Sequence, residues 1–314
     1  MNQRKIAIIG DGAVGSSIAF ALSLSEVVNE ILIIDYNKDK AEGDALDMQD
    51  GNSFLSVPKT IKAGDYEDVR GSHVVVIAAG AAQKPGETRL DLLKKNVAII
   101  KSVSASLKPY LDPGTIVLVV ANPVDILSYI AYQELGIPSS RVIGSGTVLD
   151  TSRLKVAISR DTGIDPRSIH TFVVGEHGDS EVPLWSMTTV GGLNILDYCH
   201  QCGRCKKGSR EHLEELRKEV ADAAYRIIEK KGATYYAVAI AVSRIIRAIV
   251  NDENSILTVS TLYKEGEKGI YMSLPAIVNA DGLKKVLKPV LDEAEEKALK
   301  ASYETLRGKI EEIA

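Results

Sequence analysis

Near its start the chain reads Lys5-Ile6-Ala7-Ile8-Ile9-Gly10-Asp11-Gly12-Ala13-Val14-Gly15. The apolar run at the beginning predicts a strand buried on both faces, as in a parallel sheet. The glycines that follow have the spacing G-x-G-x-x-G, and a helical pattern from Ser16 to Leu24 comes directly after them. A second buried strand, 31–34, ends at Asp35. A strand, a glycine turn, a helix and a second strand ending in an acid are the context of a dinucleotide-binding fold.

The residues of this fingerprint each have a physical reason. Gly10 permits the tight turn, Gly12 lets a pyrophosphate approach the N–H groups at the helix start, and Gly15 lets helix and strand pack closely. Asp35 would accept hydrogen bonds from ribose hydroxyls and repel a 2′-phosphate, so NAD is favoured over NADP. The alternative is a glycine-rich turn that binds no nucleotide. The predicted cofactor-binding residues of this segment are Gly10, Gly12, Ala13, Val14, Gly15 and Asp35.

More strand-and-helix units follow this first one. Strands 73–78 and 115–120 enclose a helix predicted from Leu92 to Leu107, and Gly80 and Asn122 lie just past the two strands. Such alternation indicates an α/β fold with a doubly wound parallel sheet, whose ligands lie at the carboxyl ends of its strands. We therefore expect Gly80 and Asn122 to face the cofactor.

The regular alternation stops near Gly144, which predicts a Rossmann domain over 1–144 and an α+β substrate-binding and catalytic domain over 145–314. A helix opens near Thr147, and no low-complexity linker separates the two domains. The further elements predicted in the second domain are a strand over 169–174, helices over 211–230 and 232–250, strands over 255–262 and 269–277, and a C-terminal helix over 287–313.

Composition excludes several classes of protein. The chain has 314 residues, 45% of them hydrophobic and 25% charged, which is ordinary for a globular protein. A net charge of −4 does not indicate the basic surface that binds nucleic acid, and no apolar run is long enough to span a membrane. The first residues lead straight into a strand, which leaves no room for a signal peptide. We expect a cytoplasmic protein without nucleic-acid or membrane partners.

A histidine stands between two glycines in Val174-Gly175-Glu176-His177-Gly178-Asp179-Ser180. The glycines remove bulk around the imidazole, so a ligand can approach it closely. Histidine changes its charge near neutral pH, which suits it to proton transfer. The alternative is a turn histidine with two acidic neighbours.

Two further segments carry arginines with possible functions. The loop 83–90 contains Gln83 and Arg89 and has the composition of a closing lid, although an exposed turn with incidental charges is an alternative. Asp150 and Arg153 stand one helical turn apart and therefore share a face. An ordinary ion pair on the helix surface would also explain them.

The chain resembles the NAD-dependent L-lactate dehydrogenases of the lactate/malate dehydrogenase superfamily, most closely the bacterial allosteric branch. Beyond the glycine turn and Asp35, the resemblance rests on segments in family order over nearly the whole chain. These segments are 82–92, Asn122-Pro123-Val124-Asp125, 143–153, Gly175-Glu176-His177-Gly178-Asp179 and Lys231-Gly232-Ala233-Thr234-Tyr235-Tyr236.

The resemblance implies the catalytic and substrate-binding residues. His177 is the implied acid/base and Asp150 orients its imidazole. Arg153 holds the substrate carboxylate through two parallel hydrogen bonds, and Arg89 arrives on the lid to polarise the carbonyl. Asn122 would bond near the nicotinamide and the substrate oxygen, and Thr234 resembles a wall of the substrate pocket.

Gln83 favours pyruvate and L-lactate as the substrates. Malate dehydrogenases of the superfamily typically have arginine at the matching position, where it pairs with the second carboxylate of oxaloacetate. A neutral amide cannot neutralise that charge but can stand beside a methyl group. The alternatives are malate, a bulkier 2-hydroxy acid, and a dinucleotide-binding protein without catalysis.

The resemblance also raises the question of regulation. His170 matches a histidine that helps to bind fructose 1,6-bisphosphate at a subunit interface, and Lys155 aligns with its usual arginine partner. Lysine keeps the charge of arginine but loses its planar fork. The alternative to an allosteric site is a strand histidine that faces polar surface. The family implies a homotetramer.

Three cysteines crowd into the segment Cys199-His200-Gln201-Cys202-Gly203-Arg204-Cys205. Their spacing resembles that of metal ligands. Adjacent ligands such as Cys199 and His200 fit one tetrahedral site poorly, however. We therefore predict a variable surface loop without a metal.

Overall fold

The structure is a computed structural model, and it describes residues 4–82, 86, 88–202, 210–265 and 268–313. Its first half alternates strands with helices, and nearly every residue of the central strands is buried because helices cover both faces of the sheet. The strands are β1 (Lys5–Ile9), β2 (Glu30–Ile34), β3 (Thr60–Ala63), β4 (Val74–Ile77), β5 (Ile116–Val119) and β6 (Val142–Gly144). The helices are α1 (Ala13–Ser23), α2 (Lys38–Asp50), α3 (Arg89–Leu107) and α4 (Val124–Leu135).

These six strands are parallel and lie in the order β3-β2-β1-β4-β5-β6. The order reverses between β1 and β4, and in open sheets of this kind the ligand crevice lies at such a point, at the carboxyl ends of the strands. Gly10, Gly80 and Asn122 follow β1, β4 and β5 at this edge. The predicted Rossmann architecture is confirmed.

The second half adds five helices and eight strands within the described residues. The helices are α5 (Val148–Thr162), α6 (Ile195–Cys202), α7 (Arg210–Lys231), α8 (Tyr236–Val250) and α9 (Glu293–Glu311). The strands are β7 (Ile169–His170), β8 (Val173–Val174), β9 (Val182–Pro183), β10 (Thr189–Val190), β11 (Leu193–Asn194), β12 (Ser255–Glu265), β13 (Lys268–Asn279) and β14 (Gly282–Val286). None of the described helices is long and apolar enough to cross a membrane.

Strands β12, β13 and β14 form an antiparallel meander that continues the parallel sheet. Ser260 of β12 pairs with Gly144 of β6, so the described residues form one sheet of nine strands. Helices from both halves contribute to one hydrophobic cluster on this sheet, in which Ile18 and Leu22 of α1 pack with Val242 and Ile245 of α8. The two halves are therefore joined through both the sheet and its covering helices.

Two predicted elements were wrong in detail. The strand expected over 169–174 is two short strands, because β7 pairs with β10 while β8 pairs with β9. The C-terminal helix begins at Glu293 rather than at 287. The Leu287 N–H still donates to Pro275 O at the sheet edge, and Asp292 caps the helix with a capping box to Glu295.

Candidate active site

The glycine turn after β1 is tightly packed at both ends. Gly10 has a φ of +98°, and a Cβ built on it would lie 2.5 Å from the Ala79 nitrogen. A Cβ on Gly15 would lie 1.8 Å from the Gly10 oxygen, where no side chain fits. A Cβ on Gly12, in contrast, would meet no described atom within 4 Å. The turn is therefore closed against the sheet and open at Gly12, where a ligand can approach the backbone.

Helix α1 starts at this open position. Its Ser16 N–H donates to Gly12 O at 3.0 Å, so the amides of Ala13, Val14 and Gly15 precede the first intrahelical bond. Such amides and the helix dipole attract an anion. The turn fits the pyrophosphate of a dinucleotide.

Asp35 is half-buried at the end of β2 and is held by two backbone amides. Its Oδ2 accepts from the Asp11 N–H at 2.6 Å and its Oδ1 from the Asn37 N–H at 2.8 Å. Each carboxylate oxygen has a second lone pair, which can accept from a ribose hydroxyl. Asp35 thus also anchors the glycine turn, a contact that the sequence did not indicate.

Asn96 of α3 joins the ends of two strands. Its Oδ1 accepts from the Ala81 N–H at 2.8 Å, and its Nδ2 donates to Asn122 O at 2.9 Å. Asn96 is 3% exposed, and it fixes the segment after Gly80 against Asn122 at the crevice. Asn96 was missed because it lies inside an ordinary helical pattern.

The structure brings His177, Asp150 and Arg153 into one hydrogen-bonded group. His177 Nδ1 lies 2.6 Å from Asp150 Oδ2, and Arg153 Nη1 donates to Asp150 Oδ1 at 2.9 Å. The Asp150 side chain is 3% exposed and that of His177 is 25% exposed. With Nδ1 directed at Asp150, Nε2 is the ring nitrogen left to meet a substrate.

This arrangement favours a protonated imidazole. Burial opposes a charge on His177, but the charge of Asp150 and its hydrogen bond outweigh that effect and raise the pKa of His177 to about 9. Burial also works against ionised Asp150, but His177 and Arg153 together lower its pKa. At neutral pH the group therefore holds an imidazolium next to a carboxylate, ready to donate a proton from Nε2.

Arg153 has one nitrogen left for a ligand. Its Nη2 is buried and has no hydrogen-bond acceptor among the described residues. A buried donor without an acceptor is costly, and a ligand carboxylate beside it would remove that cost. The ion-pair alternative accounts for Nη1 but not for Nη2.

A buried carboxylate on α4 holds the backbone of the loop 175–180, which carries His177. Asp125 Oδ2 accepts from the His177 N–H at 2.8 Å, and Ser260 Oγ donates to Oδ1 at 2.5 Å. Asp125 is 2% exposed, and its burial raises its pKa to about 6. Asp125 stands in Asn122-Pro123-Val124-Asp125, one of the segments of the family resemblance, but nothing in its local sequence connects it with His177.

Glu181 is a second buried acid near this group. It is 5% exposed, and its Oε1 has no partner among the described residues. Burial, followed by the charge of Asp150, raises the pKa of Glu181 to about 8. Its burial therefore favours the neutral form of Glu181 more than in an exposed glutamate.

Four predicted substrate-site residues have no described contact with this group. Asn122 follows β5, where its Oδ1 accepts from the Val124 N–H at 3.2 Å and its backbone oxygen from Asn96. Thr234 is half-buried between α7 and α8 and has no hydrogen bond to His177, Asp150 or Arg153 among the described residues. Gln83 lies outside the described residues, as does the side chain of Arg89, whose backbone begins α3.

The predicted allosteric residues lie on α5 and β7, two elements that pack together. His170 is exposed and stands opposite Thr189 of β10. Lys155 is half-buried, and this burial lowers its pKa. No ion pair to Lys155 occurs among the described residues, so an anion could supply its counter-charge.

The surface loop predicted over the cysteine segment was wrong for its first part, because Cys199 and Cys202 lie on α6 and Cys199 packs in a hydrophobic cluster. Cys205 lies outside the described residues. Within the part of the chain that the structure describes, no group of three or more metal-ligating side chains occurs.

Comparison with known proteins gives consistent matches over the full chain. Family models for the lactate/malate dehydrogenase NAD binding domain and for its alpha/beta C-terminal domain match residues 4–144 and 147–314. L-lactate dehydrogenase 1 of Clostridium acetobutylicum is 50% identical over 311 residues, covering 98% of each chain. The L-lactate dehydrogenase of Thermoanaerobacterium saccharolyticum is 52% identical over 297 residues, covering 93% of this chain and 94% of the relative.

Solved structures agree with these sequence matches. The minor L-lactate dehydrogenase of Enterococcus mundtii, solved in a ligands-bound form, has a TM-score of 0.95 at 39% identity. MGS-M5, a lactate dehydrogenase from a Medee basin deep-sea metagenome library, has a TM-score of 0.95 at 42% identity. Both alignments cover 100% of this chain and 99% of the other.

Proposed function

The chain belongs to the lactate/malate dehydrogenase family, and from this membership we propose that it interconverts pyruvate and L-lactate with NADH and NAD⁺. The observation that carries the proposal is the His177–Asp150–Arg153 group, which combines a proton donor with a buried guanidinium nitrogen lacking an acceptor. A 2-keto acid has a carbonyl oxygen that can accept the proton of His177 and a carboxylate that can accept from Arg153 Nη2.

Substrate positioning depends on Arg153 in this mechanism. Its Nη2 binds the substrate carboxylate while Nη1 remains on Asp150, so the guanidinium is fixed before the substrate arrives. Fixing the carboxylate sets the position of the keto carbon beside it, which lowers the entropic part of the barrier.

Proton transfer depends on His177. Bound NADH supplies the hydride, and negative charge then develops on the carbonyl oxygen. The His177 Nε2–H donates its proton to that oxygen, and the ring becomes neutral while Asp150 stays ionised. In lactate oxidation the neutral ring accepts the hydroxyl proton, and the charge of Asp150 stabilises the imidazolium that forms.

The cofactor contacts follow from the crevice at the strand ends. The amides of Ala13, Val14 and Gly15 would bind the pyrophosphate at the opening beside Gly12, and Asp35 would bind the ribose. Gly10 maintains the turn, and Gly80 and Asn122 would line the nicotinamide side.

The choice of pyruvate over oxaloacetate rests on Gln83 in the lid. A neutral amide leaves a second carboxylate unpaired in a closed site, whereas the methyl group of pyruvate needs no partner. Arg89 would enter with the same loop, and Thr234 would form a wall of the pocket.

Regulation by fructose 1,6-bisphosphate would involve His170 and Lys155. The half-buried lysine, whose pKa burial lowers, and the exposed histidine on the adjoining strand support an anion site. Phosphate binding would supply the counter-charge that Lys155 lacks among the described residues.

Self-association would use the apolar side chains on α1, α2 and α8. Phe20 and Leu24 are 57% and 61% exposed, Leu46 is 58% exposed, and Ile240 is 68% exposed. Leu24 directly follows α1, and the other three side chains lie on helices that pack together, α1 against α8 and α1 against α2. An exposed apolar face of this kind fits a second copy of the chain, as the first step towards a cytoplasmic homotetramer.

A steady-state assay tests the function. NADH oxidation is followed with pyruvate, oxaloacetate and a bulkier 2-keto acid, each with and without fructose 1,6-bisphosphate. The proposal requires the highest kcat/KM with pyruvate. A preference for oxaloacetate would make the chain a malate dehydrogenase, and NADH binding without turnover would leave a non-catalytic dinucleotide-binding protein.

A further inference from the structure

Glu176 precedes His177 and has no part in the mechanism above, yet it is 6% exposed. Its Oε2 accepts from Ser180 Oγ at 2.5 Å, and its Oε1 accepts from the Lys309 ammonium. Glu176 is therefore a paired buried carboxylate rather than a solvated neighbour of the histidine.

Helix α9 contacts the loop 175–180, called the catalytic loop because it carries the proposed acid/base His177, at Glu176 and at Ser180. Ser302 Oγ accepts from the Glu176 N–H at 2.7 Å and lies 3.0 Å from Ser180 Oγ. Lys309 stands seven residues later, two helical turns along, so it lies on the same face as Ser302. A Cβ on Gly175 would lie 2.6 Å from Ser302 Oγ, which shows how closely helix and loop approach.

The loop 175–180 is thus held from two directions around His177. Asp125 of α4 holds the His177 N–H, while α9 holds the preceding residue through both its backbone and its side chain. The ring must meet Asp150 on α5 at 2.6 Å. Because the ring is carried by this loop, a loss of either restraint would let the imidazole move relative to Asp150 and the substrate.

We propose that Glu176, held by Lys309 and Ser302 of α9, is a positioning residue that fixes the catalytic loop so that His177 faces both Asp150 and the substrate. The inference rests on the proposed function, because it assigns Glu176 and α9 a part in that reaction. Displacement of a reacting group by about 1 Å can cost on the order of a hundredfold in rate.

Lys309→Met is the informative variant, because the Lys309 side chain is 41% exposed and its loss should leave the fold intact. We expect kcat/KM for pyruvate to fall roughly ten- to a hundredfold, mainly through kcat, with NADH affinity unchanged. Lys309→Arg should recover most of the activity. Arg307→Met, on the same helix but paired with Glu304 and Glu311 of that helix, is the matched control and should behave as the wild type.

An NMR titration of the His177 imidazole gives a readout that a merely structural role would not change. The wild-type pKa should be near 9, and loosened contact with Asp150 should move it towards 6.5 in Lys309→Met. Glu176→Gln, which keeps the side-chain shape but loses the charge, should move it in the same direction.

The outcomes separate the two proposals. If the folded variants keep the wild-type kcat and His177 pKa, α9 only docks on the loop and the inference is overturned. If the wild type fails to reduce pyruvate but the His177 pKa still moves in Lys309→Met, the proposed function is wrong and the positioning role stands.

Discussion

Replacing Asp150 with asparagine would remove the charge that keeps His177 protonated. The pKa of His177 is raised from 6.5 to about 9, with Asp150 as the main cause of the increase against burial. That difference corresponds to about 3 kcal/mol of preference for the imidazolium. In Asp150→Asn the pKa should return to 6.5 or below, since burial of the ring then acts without a counter-charge.

The consequence is a change in the pH dependence of pyruvate reduction. The reaction needs protonated His177, so the wild type should keep its rate up to a pH near 9 and lose it above that value. In Asp150→Asn, with a His177 pKa of 6.5, about a tenth of the enzyme molecules would carry a protonated imidazole at pH 7.5. Its rate should therefore rise about tenfold between pH 7.5 and 5.5, while the wild-type rate stays nearly constant. Lactate oxidation needs the neutral imidazole, so its rate should have the opposite pH dependence and increase as the pH rises.

The assay measures kcat/KM for pyruvate from pH 5.5 to 10 at saturating NADH. Asp165→Asn is the matched control, because that carboxylate is 47% exposed and pairs with Arg167 away from the site. A profile for Asp150→Asn that still ends near pH 9 would refute the reasoning, since Asp150 could not then be the source of the raised pKa.

Three further predictions concern the substrate, the effector and specificity. Arg153→Lys loses the planar fork and should raise the pyruvate KM roughly ten- to a hundredfold, which steady-state kinetics measures; an unchanged KM would leave Arg153 as an ion-pair residue only. Fructose 1,6-bisphosphate should lower the pyruvate KM, and His170→Ala should abolish that response without loss of activity at saturating pyruvate. No response in the wild type at any concentration would show that the lysine at 155 cannot replace arginine. Gln83→Arg should raise kcat/KM for oxaloacetate and lower it for pyruvate, reversing specificity by roughly several powers of ten; a parallel change in both values would contradict the assignment.

The sequence predicted the parts of the site that depend on neighbours along the chain. The glycine turn, the buried strands and the shared face of Asp150 and Arg153 all follow from local spacing. The approach of His177 to Asp150 spans 27 residues and came only from resemblance to a family. Local patterns contain no information on such pairs.

The residues that were missed have still more distant partners. Asp125 meets His177 across 52 residues, and Glu176 meets Lys309 across 133. Each is an ordinary acid in its own helix or loop, and only tertiary packing gives it a partner. The strand expected over 169–174 was wrong because its two ends pair with different strands, β10 and β9, and the segment itself does not specify its pairing partners.

The continuous sheet limits how far the cofactor-binding half can be used as a portable module. Strand β6 has β12 on its outer side, and α8 contributes Val242 and Ile245 to the cluster that contains Ile18 of α1. A fragment that stopped after β6 would carry an open strand edge and an uncovered apolar helix face, both of which promote aggregation. Exchange of cofactor specificity with another dehydrogenase is therefore better attempted at single positions such as Asp35, the proposed ribose ligand, than by grafting whole halves.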